Sequence, residues 1–184
     1  MPGPVFIEGD RVDLHTVEAE DVEPLQALVN DPRVRHNLAT RLPINREQEE
    51  EWFEEHASSD EDVNLVIGVD GELAGTVGLH GVQSVDGSAE IGLFLDPAYW
   101  GEGYGTEASR LVTGYGFAEL RLHRVVARVF EGNEASRAIW EKLGFRHEAR
   151  HKEAAYIRGR YLDVHRYAIL EGEWGEGREA EDEE

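Results

Sequence analysis

The sequence predicts a single domain of the α/β class, in the wider sense that includes α+β folds. Its 184 residues, 40% of them hydrophobic, match one globular domain that can bury a sizeable core. Antiparallel hairpin signals come first along the chain, and a strand–helix–strand crossover follows, which predicts a mixed sheet. Residues 1–174 are expected to form this domain, and the Gly- and acid-rich residues 175–184 are expected to be a disordered acidic tail.

The N-terminal third predicts one strand and two helices. Residues 5–17 are expected to form an opening strand. Asp21 then precedes apolar residues at helical spacing, so a helix is expected to start there and to end before Pro32. Asn45 is expected to cap a second, strongly acidic helix that ends near His56.

The middle of the chain predicts a β-meander. The apolar strand 65–69 is followed by Asp70-Gly71, a dipeptide that favours a tight hairpin turn. The chain returns over residues 73–80, and a third strand follows over residues 88–95. Pro97 should end that strand, because proline has no N–H to donate to a neighbouring strand.

The C-terminal half predicts the crossover and a final hairpin. A glycine-rich stretch opens a helix that runs to about Leu120. The later elements are a buried strand at 125–130, a helix at 133–143, and two hairpin strands at 145–157 and 161–170.

Charge and composition exclude several classes of function. Eighteen Lys and Arg face 39 Asp and Glu, a net charge of −21 that repels phosphate backbones and anionic membranes. We therefore expect no nucleic-acid or membrane partner. The absence of cysteine excludes disulfides, thiolate metal sites and a cysteine nucleophile, and no metal is expected. Without a signal peptide or an apolar run of membrane-spanning length, a cytoplasmic location is expected.

The acidic residues are spread along the whole chain, from Glu8 to Glu184, and only two lysines are present. A spread of this kind favours adaptation to a salty, halophilic cytoplasm, where ions screen self-repulsion over a few ångströms. The other interpretation is a field that attracts amines and polyamines at low salt.

Residues 100–106, Trp-Gly-Glu-Gly-Tyr-Gly-Thr, contain three glycines on alternate positions ahead of a helix. Glycines let backbone N–H groups approach an anion, and the helix start near Thr106 adds a positive dipole end, so the stretch predicts a pyrophosphate cradle. A dinucleotide loop would need a third glycine at Thr106, and a nucleoside-triphosphate loop would need a lysine that is missing. A glycine-rich turn without a ligand is the remaining alternative.

A second motif identifies a family. Residues 133–145, Asn-Glu-Ala-Ser-Arg-Ala-Ile-Trp-Glu-Lys-Leu-Gly-Phe, resemble the signature Asn-x-x-Ser-x-x-x-Tyr-Glu-Lys-x-Gly-Phe of the GNAT superfamily of acetyltransferases. Gly103-Tyr104-Gly105 fits the acetyl-CoA loop of that superfamily, Gln/Arg-x-x-Gly-x-Gly/Ala, with Trp100 at its first position. Residues 89–92 and 159–174 are similar to the RimJ/RimL type, the ribosomal-protein N-terminal acetyltransferases. The resemblance covers about residues 6–174.

The resemblance implies a mixed, mostly antiparallel sheet of about seven strands flanked by helices. Two parallel strands, 88–95 and 125–130, would splay apart to admit the pantetheine arm of acetyl-CoA. The implied reaction is acetyl transfer from acetyl-CoA to a primary amine, most naturally a protein N-terminal α-amine, by direct attack in a ternary complex. The residues expected to hold the co-substrate are Leu93, Phe94, Leu95, Gly101, Gly103, Gly105, Thr106, Asn133 and Ser136.

Two catalytic roles follow from the same resemblance. Glu90 is expected to act as the base, directly or through water, and it shares a strand face with Gly92 by two-residue alternation. His80 is the second candidate, because imidazole has a pKa suited to this task. Ser136 is expected to assist the departing thiolate, because Trp140 stands where many relatives have Tyr, and an indole cannot give up its proton.

The acceptor and the assembly stay open at this stage. Polyamines, antibiotics and protein lysines are alternative amine substrates. A non-catalytic, acyl-CoA-binding regulatory module is an alternative to an enzyme, and both a monomer and a homodimer fit the sequence.

Overall fold

The computed structural model of the chain describes residues 2–38 and 40–175. Nearly all of the predicted acidic tail, residues 176–184, lies outside the described residues. The described part contains one sheet with helices packed on it, as the order of the sequence patterns predicts.

Eight strands form this sheet, in the spatial order β1-β2-β3-β4-β5-β6-β8-β7. Their bounds are β1 Val5–Ile7, β2 Asp13–Thr16, β3 Asp62–Val69, β4 Glu72–His80, β5 Ser88–Leu95, β6 Arg124–Phe130, β7 Arg146–Ile157 and β8 Arg160–Leu170. The pair β5–β6 is parallel, and the other neighbouring pairs are antiparallel. The predicted mixed, mostly antiparallel sheet is therefore confirmed.

The extra strand arises because residues 5–17 are not one strand. The chain reverses after Ile7, and β1 pairs with β2 through partners such as Val5 and His15. The turn is held from far away: the Glu107 carboxylate accepts hydrogen bonds from the backbone N–H groups of Asp10, Arg11 and Val12. A contact across about 95 positions leaves no local sequence signal, and the single-strand prediction was wrong for this reason.

Five α-helices and three short 3₁₀ helices complete the fold within the described residues. The α-helices are α1 Val22–Asn30, α2 Pro32–Arg35, α3 Arg46–His56, α4 Tyr104–Glu119 and α5 Glu134–Lys142. Pro32 does not merely follow the first helix but starts α2, where the Asp31 side chain accepts the Arg33 N–H at 2.8 Å. Proline is well tolerated at this first position, because its missing N–H would have no partner in the helix.

Asn45 caps α3 as predicted. Its side-chain oxygen accepts the Gln48 N–H at 3.0 Å, and the Gln48 side chain accepts the Asn45 N–H at 3.0 Å. This reciprocal pair satisfies two of the donors that a helix start leaves free. The cap fixes where α3 begins and therefore which of its many acids face the sheet.

The core lies between the sheet and α4. Apolar side chains of the strands, of α4 and α5, and of the segment between α4 and β6 are almost completely buried there, each contributing about 1.5–3 kcal/mol relative to an exposed position. The largest of these core residues are Leu14, Ile67, Leu79, Leu122, Trp140 and Ile169.

The parallel strands β5 and β6 part halfway along their length. Backbone pairing runs from Ser88 and Arg124 to Ile91 and Ala127, after which the strands continue to their ends without pairing to each other in the described structure. The predicted splay is confirmed. It leaves backbone groups of both strands facing an opening.

Candidate active site

A cavity of about 880 Å³ opens at the splay between β5 and β6. It is lined by the ends of both strands, the glycine loop, α5, and the inner faces of α1 and α3. All of the sequence-predicted site residues line this one cavity, as do His80 and Trp140. The structure therefore brings together residues that stretch from position 80 to position 140.

The glycine loop forms one wall. Gly101 and Gly103 both have φ of +84°, a left-handed conformation that glycine adopts without strain, and Gly103 caps α4. An added Cβ at Gly101 would meet no atom within 4 Å, so space for a ligand lies beside it. Because the first N–H groups of a helix lack partners within it, the start of α4 at Tyr104 suits a pyrophosphate.

Gly105 has a different reason to be glycine. A Cβ there would lie 3.1 Å from Leu93 Cδ1 and 3.2 Å from Ile139 Cδ1. These distances are shorter than ordinary van der Waals contacts. The missing side chain therefore lets α4 approach β5 and α5 closely, a packing role that the sequence pattern does not distinguish from a phosphate role.

Trp100 turns back onto the strand end. Its indole N–H donates to the Leu95 carbonyl at 2.9 Å, and the residue is 46% exposed. Because an indole is uncharged, Trp100 brings no positive charge to the loop. It fixes the end of β5, where Leu93, Phe94 and Leu95 face the gap.

The start of α5 forms the opposite wall. The Asn133 side-chain oxygen accepts the Ser136 N–H at 3.1 Å, so Asn133 is the helix cap. The buried Trp140 indole donates to Ser136 Oγ at 3.1 Å. Since the indole fills an acceptor site on Oγ, the hydroxyl proton of Ser136 stays available for another acceptor in the cavity.

Two members of a polar row on the sheet, His80 and Glu90, line the cavity. Asp62, His80 and Glu90 stand opposite one another on β3, β4 and β5, and Asp62 Oδ1 lies 3.7 Å from His80 Nδ1. The neighbouring row holds Gly78 and Gly92, and a Cβ at Gly92 would lie 3.7 Å from His80 Nε2. Gly92 therefore leaves room for a small group beside the imidazole, whereas the space beside Gly78 is filled by the Val63 carbonyl, 2.6 Å from an added Cβ.

Glu90 is paired with two arginines. Its Oε1 accepts from Arg128 Nε at 2.5 Å, and its Oε2 accepts from Arg166 Nη1 at 2.9 Å. Each carboxylate oxygen therefore already holds a guanidinium donor, whereas the imidazole of His80 makes a single, longer contact with a carboxylate. Arg166 lies 76 positions from Glu90, and the sequence gives no sign of this pair.

One acid that lines the cavity, Glu49, was not predicted from the sequence. Glu49 on α3 is only 5% exposed, lines the cavity with Gln48 and Trp52, and has its pKa raised by burial. The surrounding run of glutamates reads as a solvated helix face. The sequence does place Glu49 three residues before Trp52. Because residues three apart share one helix face, this spacing indicates that Glu49 lies on the same face as Trp52.

Comparison with known proteins settles the family. The family model for the acetyltransferase (GNAT) domain matches residues 11–146, most of the chain. The chain belongs to the GNAT family of acetyltransferases. Its relatives support the resemblance to the RimJ/RimL type: over 105 residues, 57% of each chain, it is 38% identical to the "Putative ribosomal N-acetyltransferase YdaF" of Bacillus subtilis.

Other relatives of this GNAT protein act on polyamines. It is 28% identical to the spermidine N(1)-acetyltransferase of Escherichia coli K12 over 163 residues, covering 89% of this chain and 88% of that one. The crystal structure of spermidine N-acetyltransferase from Vibrio cholerae in complex with CoA and spermine matches with a TM-score of 0.85, covering 90% of this chain and 99% of that one. At 24% identity this last likeness concerns the fold.

The GNAT protein is an acyl-CoA-dependent N-acetyltransferase, and its co-substrate is acetyl-CoA. The open space at Gly101 and the unpaired strand ends fit that molecule. Within residues 2–38 and 40–175, no group of three or more His, Asp or Glu side chains could hold a metal ion. No helix in this part of the chain is both long and apolar enough to cross a membrane.

Proposed function

We propose that this GNAT enzyme acetylates the N-terminal α-amine of a protein or peptide. The observation that carries the proposal is the continuity of one cavity from the strand splay and glycine loop to the polar row at His80 and Glu90. An acetyl donor held in the splay and an amine held over Gly92 would then meet inside one cavity.

The donor site is built from backbone and small residues. Acetyl-CoA supplies an activated thioester, and the free edge of residues 93–95 offers backbone N–H groups to its carbonyl oxygen. A donor aimed at a developing oxyanion lowers the barrier by about 3–4 kcal/mol in known sites. Gly101, Gly103 and Thr106 provide the phosphate contacts in this proposal.

A basic side chain that lines the cavity accepts a proton from the amine. Of the two predicted bases, His80 is the freer group, because both oxygens of Glu90 are tied to arginines. We assign proton acceptance to His80, which has the Asp62 carboxylate 3.7 Å away, and leave Glu90 the task of aligning the amine or a water molecule. The neutral nitrogen forms a bond to the acetyl carbon, and the carbon–sulfur bond breaks.

The sulfur leaves toward α5. The Ser136 hydroxyl, whose oxygen already accepts a hydrogen bond from the Trp140 indole, can donate a hydrogen bond to the departing sulfur, and the sulfur takes up the second proton that the nitrogen releases as the amide forms. A thiol with a pKa near ~8.5 is a tolerable leaving group, so this donation assists the reaction without being essential.

Two features favour an α-amine as the acceptor. Its pKa of about 8 lets an imidazole deprotonate it, whereas a lysine side chain near ~10.4 needs more help. The relative YdaF, which aligns with 57% of this chain, has the name "Putative ribosomal N-acetyltransferase".

A polyamine is the second candidate, and Glu49 favours it. A buried carboxylate on the cavity wall is a natural partner for a second ammonium group, which an ordinary peptide N-terminus does not have. Relatives named as spermidine acetyltransferases point the same way.

A competition assay separates the two acceptors. Peptides with free N-termini, the same peptides with blocked N-termini, and spermidine are offered together with acetyl-CoA, and the products are measured by mass spectrometry. We expect the acetyl group on the free N-termini, at the largest kcat/KM. Preferential acetylation of spermidine, lost in Glu49→Gln, would replace the first candidate with the second.

A further inference from the structure

The glycine loop holds no cation. Its residues 100–106 contain Glu102 and no Lys or Arg, and Trp100 stands at the position where the family loop has Gln or Arg. Its indole bonds the Leu95 carbonyl. The phosphates of coenzyme A are strongly anionic, and the chain has a net charge of −21, so a local cation would matter more than usual.

One guanidinium reaches the loop from the other end of the chain. Arg11 lies in the turn between β1 and β2, and an added Cβ at Gly103 would lie 3.0 Å from its Nη2 atom. The Arg11 guanidinium also lies 5.1 Å from the centre of the Tyr104 ring, within the range of a cation–π contact. It therefore stands against the residue that caps α4.

Glu107 fixes Arg11 in this place. Its Oε1 accepts the backbone N–H groups of Asp10, Arg11 and Val12 at 2.7, 2.9 and 3.4 Å, and its Oε2 lies 3.4 Å from Arg11 Nε. Burial acts to raise the pKa of Glu107, but the three N–H donors and the Arg11 charge outweigh it, so the pKa is lowered. The carboxylate is thus a permanent anchor at neutral pH.

The outer end of the guanidinium is free to bind. The Arg11 side chain is 54% exposed, against 10% for Glu107, and its ion pair uses Nε. Within the described residues, neither terminal nitrogen of Arg11 has a hydrogen-bond partner. A guanidinium held at its base and open at its tip is suited to a phosphate, which it binds through paired N–H groups.

We propose that Arg11 binds a phosphate group of coenzyme A beside the Gly103 cap of α4, supplying the cation that the glycine loop lacks. This inference rests on the proposed function only for the use of acetyl-CoA as donor, and it is independent of the acceptor. The β1–β2 turn, absent from both family motifs, then becomes part of the co-substrate site.

Calorimetric titration without any amine tests the proposal directly. Wild type, Arg11→Gln and the control Arg46→Gln are titrated with coenzyme A, 3′-dephospho-coenzyme A and pantetheine at one fixed salt concentration. Arg46 is matched in charge and is also paired with a carboxylate, Glu50, but it lies on α3. The melting temperature of each unliganded variant shows that it is folded.

We expect Arg11→Gln to weaken coenzyme A binding about tenfold, the loss typical of one charge-assisted hydrogen-bonded contact. Pantetheine affinity and all affinities of Arg46→Gln should stay at the wild-type level. If the loss persists with 3′-dephospho-coenzyme A, Arg11 contacts the pyrophosphate; if it vanishes, Arg11 contacts the 3′-phosphate. Wild-type affinity for coenzyme A in folded Arg11→Gln, or an equal loss for pantetheine, would overturn the proposal.

Discussion

Glu49 lines the cavity, and the burial of its carboxyl group lowers the stability of the folded state at neutral pH. Its carboxyl group is almost fully buried, and burial raises its pKa. A carboxyl whose pKa is higher in the folded state stabilises the fold below its unfolded pKa and loses that contribution as the pH rises through the folded value. At neutral pH, ionised Glu49 therefore carries a desolvation cost that a neutral amide would not.

We therefore expect Glu49→Gln to raise the melting temperature at neutral pH. The gain should shrink as the pH falls toward about 4, where the wild-type carboxyl is also protonated. Melting curves across this range are compared with those of Glu54→Gln, an exposed acid on the same helix, which should change little. A Glu49→Gln variant less stable than wild type at neutral pH would show that Glu49 has an unseen partner.

The assignment of the general base to His80 rather than to Glu90 gives a second prediction at the scale of residues. His80→Gln should lower turnover by about 10²–10⁴, the usual contribution of a general base, while coenzyme A binding persists. Raising the pH should partly restore its rate, because more of the amine is already neutral.

Glu90→Gln should cost less in turnover, since that carboxylate is tied to Arg128 and Arg166. The pH–rate profiles of both variants give the comparison. If Glu90→Gln shows the larger loss with rescue at high pH, while His80→Gln behaves as wild type, Glu90 is the base and the assignment must be reversed.

At the scale of elements, the close approach of α4 to β5 and α5 depends on Gly105. We expect Gly105→Val to lower both the melting temperature and the affinity for coenzyme A, because its side chain would overlap Leu93 and Ile139. Gly114→Val on the same helix is the control.

A Cβ at Gly114 would meet only Trp174 Nε1, at an ordinary 3.6 Å. Valine there should be neutral or slightly stabilising, because glycine is a poor helix former. Equal effects of the two substitutions on melting and binding would refute the packing role of Gly105.

The elements also show what a sequence can predict. The glycine loop, the Asn45 cap and the Asp70-Gly71 turn, with φ of 52° and 80°, follow from residues close in sequence, and each was placed correctly. The anchoring of the β1–β2 turn by Glu107 and the pairing of Glu90 with Arg166 join distant segments. These contacts exist only once the sheet has formed, so no local sequence pattern predicts them.

At the scale of the whole molecule, the charge of −21 should make stability depend on salt. Like charges repel across the surface, and ions screen that repulsion. We expect the melting temperature to rise from low to molar KCl more than it does in sucrose, which stabilises proteins without screening. A melting temperature independent of KCl would count against adaptation to salt, which remains a prediction, as does the cytoplasmic location.

The whole cavity is tested most directly by the release of coenzyme A thiol from acetyl-CoA, measured with one peptide in free and N-terminally blocked forms. Thiol should appear only with the free peptide and in equal amount to the peptide acetylated at its N-terminal residue. Thiol released equally with both peptides, or no thiol from a protein that binds acetyl-CoA, would contradict transfer to an α-amine in this cavity.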